Sequence, residues 1–429
     1  MRSIFAEEHR LQRLLDVEAA LAQAHASVGN IPKEDAQRIA ERAHTRWVTL
    51  EKVKTIERET HHDIVAIVRV LSEECGEAGA YVHLGATSYD IVDTAWALQI
   101  AEAIDLLREG LLRVQRSLLA LAERYKATVM IGRTHGQHAA PMTFGLKMAV
   151  YVMEMQRHID RLDEVGGRVC VGKMSGAVGT GAALGPHALQ IQEDVMASLH
   201  LGVAEATSQI VQRDRHAEFL FVLANIATSA EKFATEVRNL GRTEIGEVME
   251  PFKGVGSSTM PHKRNPIHCE RIGGLARVVR SAVFPALENN LLWHERDLTN
   301  SSAERILIPH ACVLTDEILH LAWGVFEGLE VYPDVMLSNA RLQQETMSEA
   351  VMTRLVERGV GRQEAFETVR RCAMAAQEKK LQFKDVLSTD TVAGILTRGE
   401  IDDALDPTKY VGRSEEITQR VIDAIKKRG

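Results

Sequence analysis

Four stretches of this chain carry apolar residues spaced alternately four and three apart, and that spacing restricts the fold more than any other feature. The first runs Ile100, Ile104, Leu107, Leu111, Val114, Leu118, Leu121 and Tyr125. Met148, Val152, Met155, Ile159 and Leu162 form the second; Phe219, Leu223, Ile226, Ala230, Phe233, Val237 and Leu240 the third; Leu307, Ala311, Leu314, Ile318, Leu321 and Val325 the fourth. Such a period places one apolar seam along each helix and predicts long helices packed nearly antiparallel, as in a bundle. Residues 219–240 contain neither Gly nor Pro, and 100–125 contain only Gly110, which a helix tolerates at a cost of about 1 kcal/mol.

Other positions on these helices are apolar too: Leu106, Leu112, Leu119, Leu220 and Val222. A helix with more than one apolar stripe needs neighbours on more than one side. The expectation is a bundle that associates with copies of itself; a single thick bundle within one chain is the alternative.

The flanking regions read differently. Residues 1–90 form short helices, the first closed by Gly29-Asn30-Ile31-Pro32, where Gly suits a C-terminal cap and Pro cannot continue the helix. From about 341 onward, Gly359-Val360-Gly361, Ser388-Thr389-Asp390, Pro407 and Gly412 cut the chain into small helices again. The expected fold is all-α: an N-terminal helical domain over 1–90, a long-helix domain over 91–340 and a C-terminal helical domain over 341–429. A length of 429 residues with 5% aromatics agrees with several helical domains rather than β-sandwiches.

The net charge of −8 excludes a basic nucleic-acid surface of the usual kind. The five cysteines, 75, 170, 269, 312 and 372, are odd in number and none pairs at metal-ligand spacing, which fits a reduced, cytosolic setting. No apolar run approaches the roughly 18–20 residues of a membrane span, so no membrane partner is expected.

Polar clusters interrupt the helical pattern. The sharpest is 254–266, with Gly254 and Gly256 for mobility, Ser257 and Ser258 for hydroxyls, and Lys263 and Arg264 for charge. The helix that follows would add backbone N–H donors at its N-terminus. Such a loop can close over an anion and activate a serine; a phosphate-binding or linker loop is the plainer reading. Residues 132–141 carry Arg133, Thr134, His135 and His138, suited to acid–base work or to a metal pair without a further ligand at standard spacing. In the stretch 81–90, Thr87 and Ser88 could cap the next helix, with His83 beside them. Residues 293–305 hold Arg296, Ser301 and Arg305, by default a solvated face, and position 298 is Leu298, so HExxH is absent. The Gly-rich run 172–185 lacks the GK[ST] of a P-loop. His61-His62-Asp63 reads as a helix surface or a site edge.

Together these clusters resemble the fumarase/aspartase superfamily over nearly the whole chain. Its signature G-S-x-x-M-x-x-K-x-N is filled by Gly256, Ser257, Met260, Lys263 and Asn265. MPHKRNP at 260–266, GRTHGQHAAP at 132–141, HLGATSYD at 83–90 and WHERDLTNSSAER at 293–305 look like the adenylosuccinate lyase family within it. The resemblance implies a homotetramer whose central helices form one large bundle, with each site shared by three subunits. It also implies elimination of fumarate from a small succinylated purine nucleotide or its precursor, with no metal, flavin or nicotinamide. Ser257 would be the general base and His135 the general acid. His62 would support substrate and charge, Lys263 and Asn265 would hold the developing negative charge with Ser258 beside them, and Glu270 would orient a histidine. His83, Thr87, Ser88, Thr134 and Gln209 would surround the succinyl group; Arg296, Ser301 and Arg305 would take the nucleotide end. Family members begin with a short segment carrying an Arg-Tyr pair, and Met1-Arg2-Ser3-Ile4-Phe5 aligns just after it. The expectation is an upstream start or a weaker phosphate site.

Overall fold

A computed structural model of the chain describes residues 1–251, 259–260 and 262–428. Its helices are α1 Glu7–Ser27, α2 Lys33–Arg42, α3 Leu50–Thr60, α4 Asp63–Cys75 and α5 Ser88–Arg124, followed by a hairpin of β1 Val129–Thr134 and β2 Gln137–Thr143. Then come α6 Phe144–Val169, α7 Ala188–Ser198, α8 Asp214–Leu240, α9 Ile267–Ser281, α10 Val283–Glu288 and α11 Thr299–Glu327. The C-terminal part adds α12 Pro333–Arg341, α13 Ser348–Glu357, α14 Arg362–Lys379, α15 Phe383–Leu387, α16 Arg398–Ala404 and α17 Ser414–Lys426. The all-α expectation holds, with one hairpin where the sequence reading placed a loop.

The chain divides into two compact units, one of residues 1–112, 157–231 and 272–320, the other of 113–156, 232–271 and 321–429. The long helices α5, α6, α8 and α11 contribute to both.

In the first unit, the seam residues Ile100, Ile104, Leu107, Leu111, Phe219, Leu223 and Ile226 are buried, as are Ile159 and Leu162. Arg108 pairs with Asp163, and Gly166 faces Ile104, so α6 runs antiparallel to α5. The same helix is antiparallel to α8, through Arg168–Glu218 and His158–Ser229. By contrast α11 runs parallel to α5, because Tyr89 meets Ser301 and Gly110 meets Leu319. A Cβ at residue 110 would lie 3.1 Å from a Leu319 methyl. Gly110 is therefore what lets α11 approach closely, which offsets its poor helix propensity.

Two details of the sequence reading change. On α11 the seam residues Ala311, Ile318, Leu321 and Val325 are buried, but Leu307 and Leu314 are only half-buried, and Ile308, Cys312, Thr315 and Leu319 are buried in their neighbourhood. Leu220 and Val222 are buried within the chain and need no partner copy. On α5, α8 and α11 the large apolar side chains left outside are Leu106, Phe221 and Ile306, of which Phe221 is 55% exposed. Helix α11 is also long and apolar enough to cross a membrane by length and composition, contrary to the expectation from apolar runs. It carries Glu304, buried in an ion pair with Arg213, and the acidic Asp316 and Glu317 interrupt its apolar stretch.

The second unit buries Val114, Leu118, Leu121, Met148, Val152, Met155, Phe233, Val237 and Leu240. Tyr151 stacks on Phe233 with ring centroids 4.0 Å apart, and Phe326 meets Phe233 edge-on at 6.3 Å. The segment 351–404 has its own core, with Val351, Leu355, Val369, Phe383, Leu387 and Ile401 among its members.

Candidate active site

The candidate residues fall into two groups, one in each unit. In the first unit the end of α5 is set by a buried charge network. Asp90 accepts the backbone N–H groups of Thr87 (2.8 Å), Ser175 (3.0 Å) and Gly176 (3.0 Å), and also binds the Lys173 ammonium. The Gly-rich run thus wraps a protein carboxylate. One turn on, Asp93 pairs bidentately with Arg213, both oxygens at 2.8 Å, and Arg213 also reaches Glu304 at 2.9 Å. Burial opposes the charge of Arg213, but Asp93 and Glu304 outweigh it and raise its pKa. Burial likewise opposes the Glu304 charge, yet His216 and Arg213 hold that carboxyl down to about 2. These pairs are buried with partners on both sides, so removing one partner strands a charge.

On this frame, Gln209, Arg296 and Ser301 come together around Tyr89. The Arg296 guanidinium lies 3.4 Å from the Tyr89 ring centroid, and its Nη1 donates to Gln209 Oε1 at 2.9 Å. The Tyr89 hydroxyl donates to Ser301 Oγ at 2.9 Å. Nε and Nη2 of Arg296 are shielded from solvent and have no hydrogen-bond partner among the described residues. Those two donors form the side-on edge that grips a carboxylate or phosphate with two parallel bonds.

His62 caps α4: the Val65 N–H donates to its Nδ1 at 3.3 Å, a bond that requires Nδ1 to lack a proton, so Nε2 carries it. Next to it Asp63 pairs with Arg305 at 3.1 Å. His83 lies against buried Glu18, Nδ1 to Oε1 2.7 Å. Burial opposes its protonation, but the bond and charge of Glu18 win and raise its pKa. The turn that carries His83 is pinned from behind, where His25 Nε2 donates to the Leu84 carbonyl at 2.9 Å. Thr87 precedes α5 and Ser88 opens it; among the described residues neither hydroxyl is used in a cap, and the carboxylate of Asp90 closes the helix start instead.

In the second unit, Thr134 and His135 sit at the tip of the hairpin. Positive φ at His135 (53°) and Gly136 (75°) gives the two-residue turn whose twist matches the strands. Register runs Val129↔Thr143 to Ile131↔Pro141, shifts, and resumes at Arg133↔His138. Arg133 anchors the tip to buried Glu247 through bonds of 3.0 and 2.6 Å, and Asn339 holds the same carboxylate at 2.9 Å. Burial, then the charge of Arg133, push the pKa of His138 down. Asn265 is half-buried and Lys263 exposed, the latter's ammonium unpartnered among the described residues. Glu270 is exposed in the first turn of α9 and lines an open polar cavity of about 510 Å³ with Arg238, Arg242, Asn239 and Glu244. Ser257, Ser258, Gly254 and Gly256 lie outside the described residues.

Two expectations for this region are corrected. The N-terminal amides of α9 are already taken, because Glu250 accepts from His268 N at 3.0 Å and Cys269 N at 2.9 Å. Arg264 is committed to Glu330 and is no free cation. Tyr89 was absent from the sequence-derived candidates although it lies inside HLGATSYD. Its partner is 212 residues away, and nothing local to position 89 marks the contact.

Five of the six non-glycine residues with positive φ among those described are histidines: His61, His83, His135, His200 and His294.

A family model described as Lyase matches residues 1–281, and one described as Adenylosuccinate lyase C-terminus matches 346–421. The adenylosuccinate lyase of Pyrococcus horikoshii is 53% identical, covering 99% of this chain and 95% of its own. This chain belongs to the adenylosuccinate lyase family. The adenylosuccinate lyase of Methanothermobacter thermautotrophicus is 50% identical, covering 100% of this chain and 96% of its own. Among solved structures, a fumarate lyase from Mesorhizobium sp. BNC1 superposes with a TM-score of 0.91 at 35% identity, covering 98% of this chain and 97% of that one. As an adenylosuccinate lyase family member the chain is a lyase.

Proposed function

We propose that this chain removes fumarate from adenylosuccinate to give AMP, and from the succinylated carboxamide ribotide SAICAR to give AICAR, in purine biosynthesis. Family membership supports the reaction class. The observation that carries the anionic-substrate reading is the unfilled side-on edge of Arg296.

The chemistry assigns the parts. A proton must leave the carbon beside a carboxylate while the C–N bond breaks. Ser257 takes the proton, and the electron pair forms the new C=C bond as the purine amine departs. His135 supplies the proton for that amine. Negative charge accumulates on the substrate carboxylate in the transition state, and Lys263 and Asn265 hold it there. His62 supports the substrate with the Nε2 hydrogen that its cap bond leaves outward. Glu270 orients a histidine; His83, Thr87, Ser88, Thr134, Gln209 and Ser258 surround the succinyl group. Arg296, Ser301 and Arg305 take the nucleotide end.

The working form in this reading is a homotetramer with sites shared between copies. Thr134, His135, Lys263 and Glu270 are exposed on the single chain, which suits residues completed by another copy, and exposed Phe221 and Ile306 on long helices suit a covered face. Three domains, 1–90, 91–340 and 341–429, are the division we favour; the self-contained core over 351–404 supports the last of them. The cysteines are free, and burial pushes the Cys75 thiol up to about 11 and Cys170 up to about 12, as suits a reduced cytosolic protein.

The test is fumarate release and ultraviolet absorbance on offering adenylosuccinate to the purified protein, beside argininosuccinate as a competitor. Turnover of adenylosuccinate alone, abolished by Ser257→Ala, is the expected result. Near-normal turnover by that variant removes Ser257 as the base; turnover of argininosuccinate instead overturns the substrate.

A further inference from the structure

Arg10 is a cation without a use in anything described so far. It sits in the first turn of α1 and lines a cavity of about 160 Å³ with Lys54, Glu57, Asp63 and Arg305. Lys54 is paired with Glu7 and Arg305 with Asp63. No hydrogen bond or ion pair holds the Arg10 guanidinium among the described residues. Burial and then the like charge of Arg305 push its pKa down, while Asp63, Tyr89 and Glu57 oppose them. An apolar wall of Leu11, Leu14 and Val53 lies beside it. A partly desolvated guanidinium next to a second one, with no acid bonded to it, is a cost that a bound anion would offset.

The surroundings identify the anion. Ser301 and Arg305 are four apart on α11 and so share a face. The Tyr89 that hydrogen-bonds Ser301 is also an electrostatic neighbour of Arg10. Arg10, Tyr89, Ser301 and Arg305 thus occupy one neighbourhood of the first unit. Two guanidiniums lining one cavity match a phosphate monoester, which carries a charge of about −1.5 to −2 at neutral pH; a carboxylate would neutralise only one of them. The space is sufficient, since a cavity of about 150 Å³ admits benzene. The carboxylates of Asp63 and Glu57 also face the cavity, so Arg305 must share Asp63 with the incoming anion.

We propose that Arg10 is a phosphate-binding residue, acting with Arg305 as a two-pronged clamp on the phosphate of the nucleotide. This rests on the reading of the substrate as a nucleotide.

The experiment is calorimetric titration of the intact protein and of Arg10→Met and Arg10→Lys with AMP and with adenosine, alongside steady-state kinetics on adenylosuccinate. Arg10→Met should weaken AMP about tenfold or more, the scale of a lost charge-assisted pair, and raise KM similarly. Adenosine affinity should not change, and Arg10→Lys should recover part of the loss. Without ligand, Arg10→Met should melt no lower than the parent, since it removes an unpaired charge; a structural residue would lower the melting temperature. If Arg10→Met binds AMP like the parent, or loses AMP and adenosine equally, the assignment is overturned while the lyase reading stands. A parent protein that neither binds AMP nor turns over adenylosuccinate overturns both.

Discussion

The Arg296 guanidinium stacks on the ring of Tyr89 at 3.4 Å, and the same tyrosine hydrogen-bonds Ser301 at 2.9 Å. One side chain therefore sets the position of two residues assigned to the nucleotide end. Tyr89→Phe keeps the stack and loses the hydroxyl bond, so KM for adenylosuccinate should rise only a few-fold, about 1 kcal/mol. Tyr89→Leu loses both and should raise KM by about tenfold or more. In each case kcat should move less than KM, which steady-state kinetics will read directly.

His135 occupies a left-handed position in the turn, which restricts the informative substitutions. Asn adopts that conformation readily, so His135→Asn removes the acid without breaking the hairpin. The expected loss in kcat is about 10²–10⁴-fold, with the corresponding limb of the pH–rate profile gone. Unchanged kcat would exclude His135 from proton transfer. Gly136→Ala acts through folding instead, at a cost of about 1–2 kcal/mol.

Arg213 binds Asp93 and Glu304 in the interior. Arg213→Met leaves Asp93 without its cation and Glu304 with His216 alone as its cationic neighbour, and should cost about 3–5 kcal/mol in urea unfolding. Because the Glu304 carboxyl is lowered from 4.5 to about 2, its stabilisation is full above its ordinary pKa and lost as pH falls through about 2. Glu304→Gln should flatten the acid limb of the stability curve between those two values.

The His83–Glu18 pair has the opposite sign. The raised His83 pKa means that its stabilisation is full below the ordinary 6.5 and disappears as pH rises through the raised value. The gap in melting temperature between the parent and His83→Gln should therefore be widest below pH 6.5 and narrow as pH rises through the raised value. A gap that is constant with pH would show that the contact is neutral.

The long helices were legible because Ile100 to Leu121 and Phe219 to Leu240 each carry one dominant seam. Helix α11 was misread in detail because it is apolar on several sides, so Leu307 and Leu314 scored as core beside the truly buried Cys312 and Thr315. The hairpin escaped because the residue before Gly136 is His135, where the usual turn signal has Asn or Asp. The site motifs were legible as local strings. Their wiring was not: Asp90 meets Lys173 across 83 residues and Arg213 meets Glu304 across 91, distances over which sequence carries no local trace. The same holds for Glu250, which occupies the amides of α9 from outside the helix.

The histidines in left-handed backbone divide by consequence. Each costs about 1–2 kcal/mol that glycine would not, and His83 and His135 belong to the proposed site. His200, in the exposed turn after α7, has φ of 57° and no assigned role. His200→Gly should raise the melting temperature by about a degree without altering turnover, whereas the same change at residue 135 would exchange catalysis for heat resistance. The chain thus holds an unused thermal reserve at one position and a functional debt at another, written in the same backbone geometry.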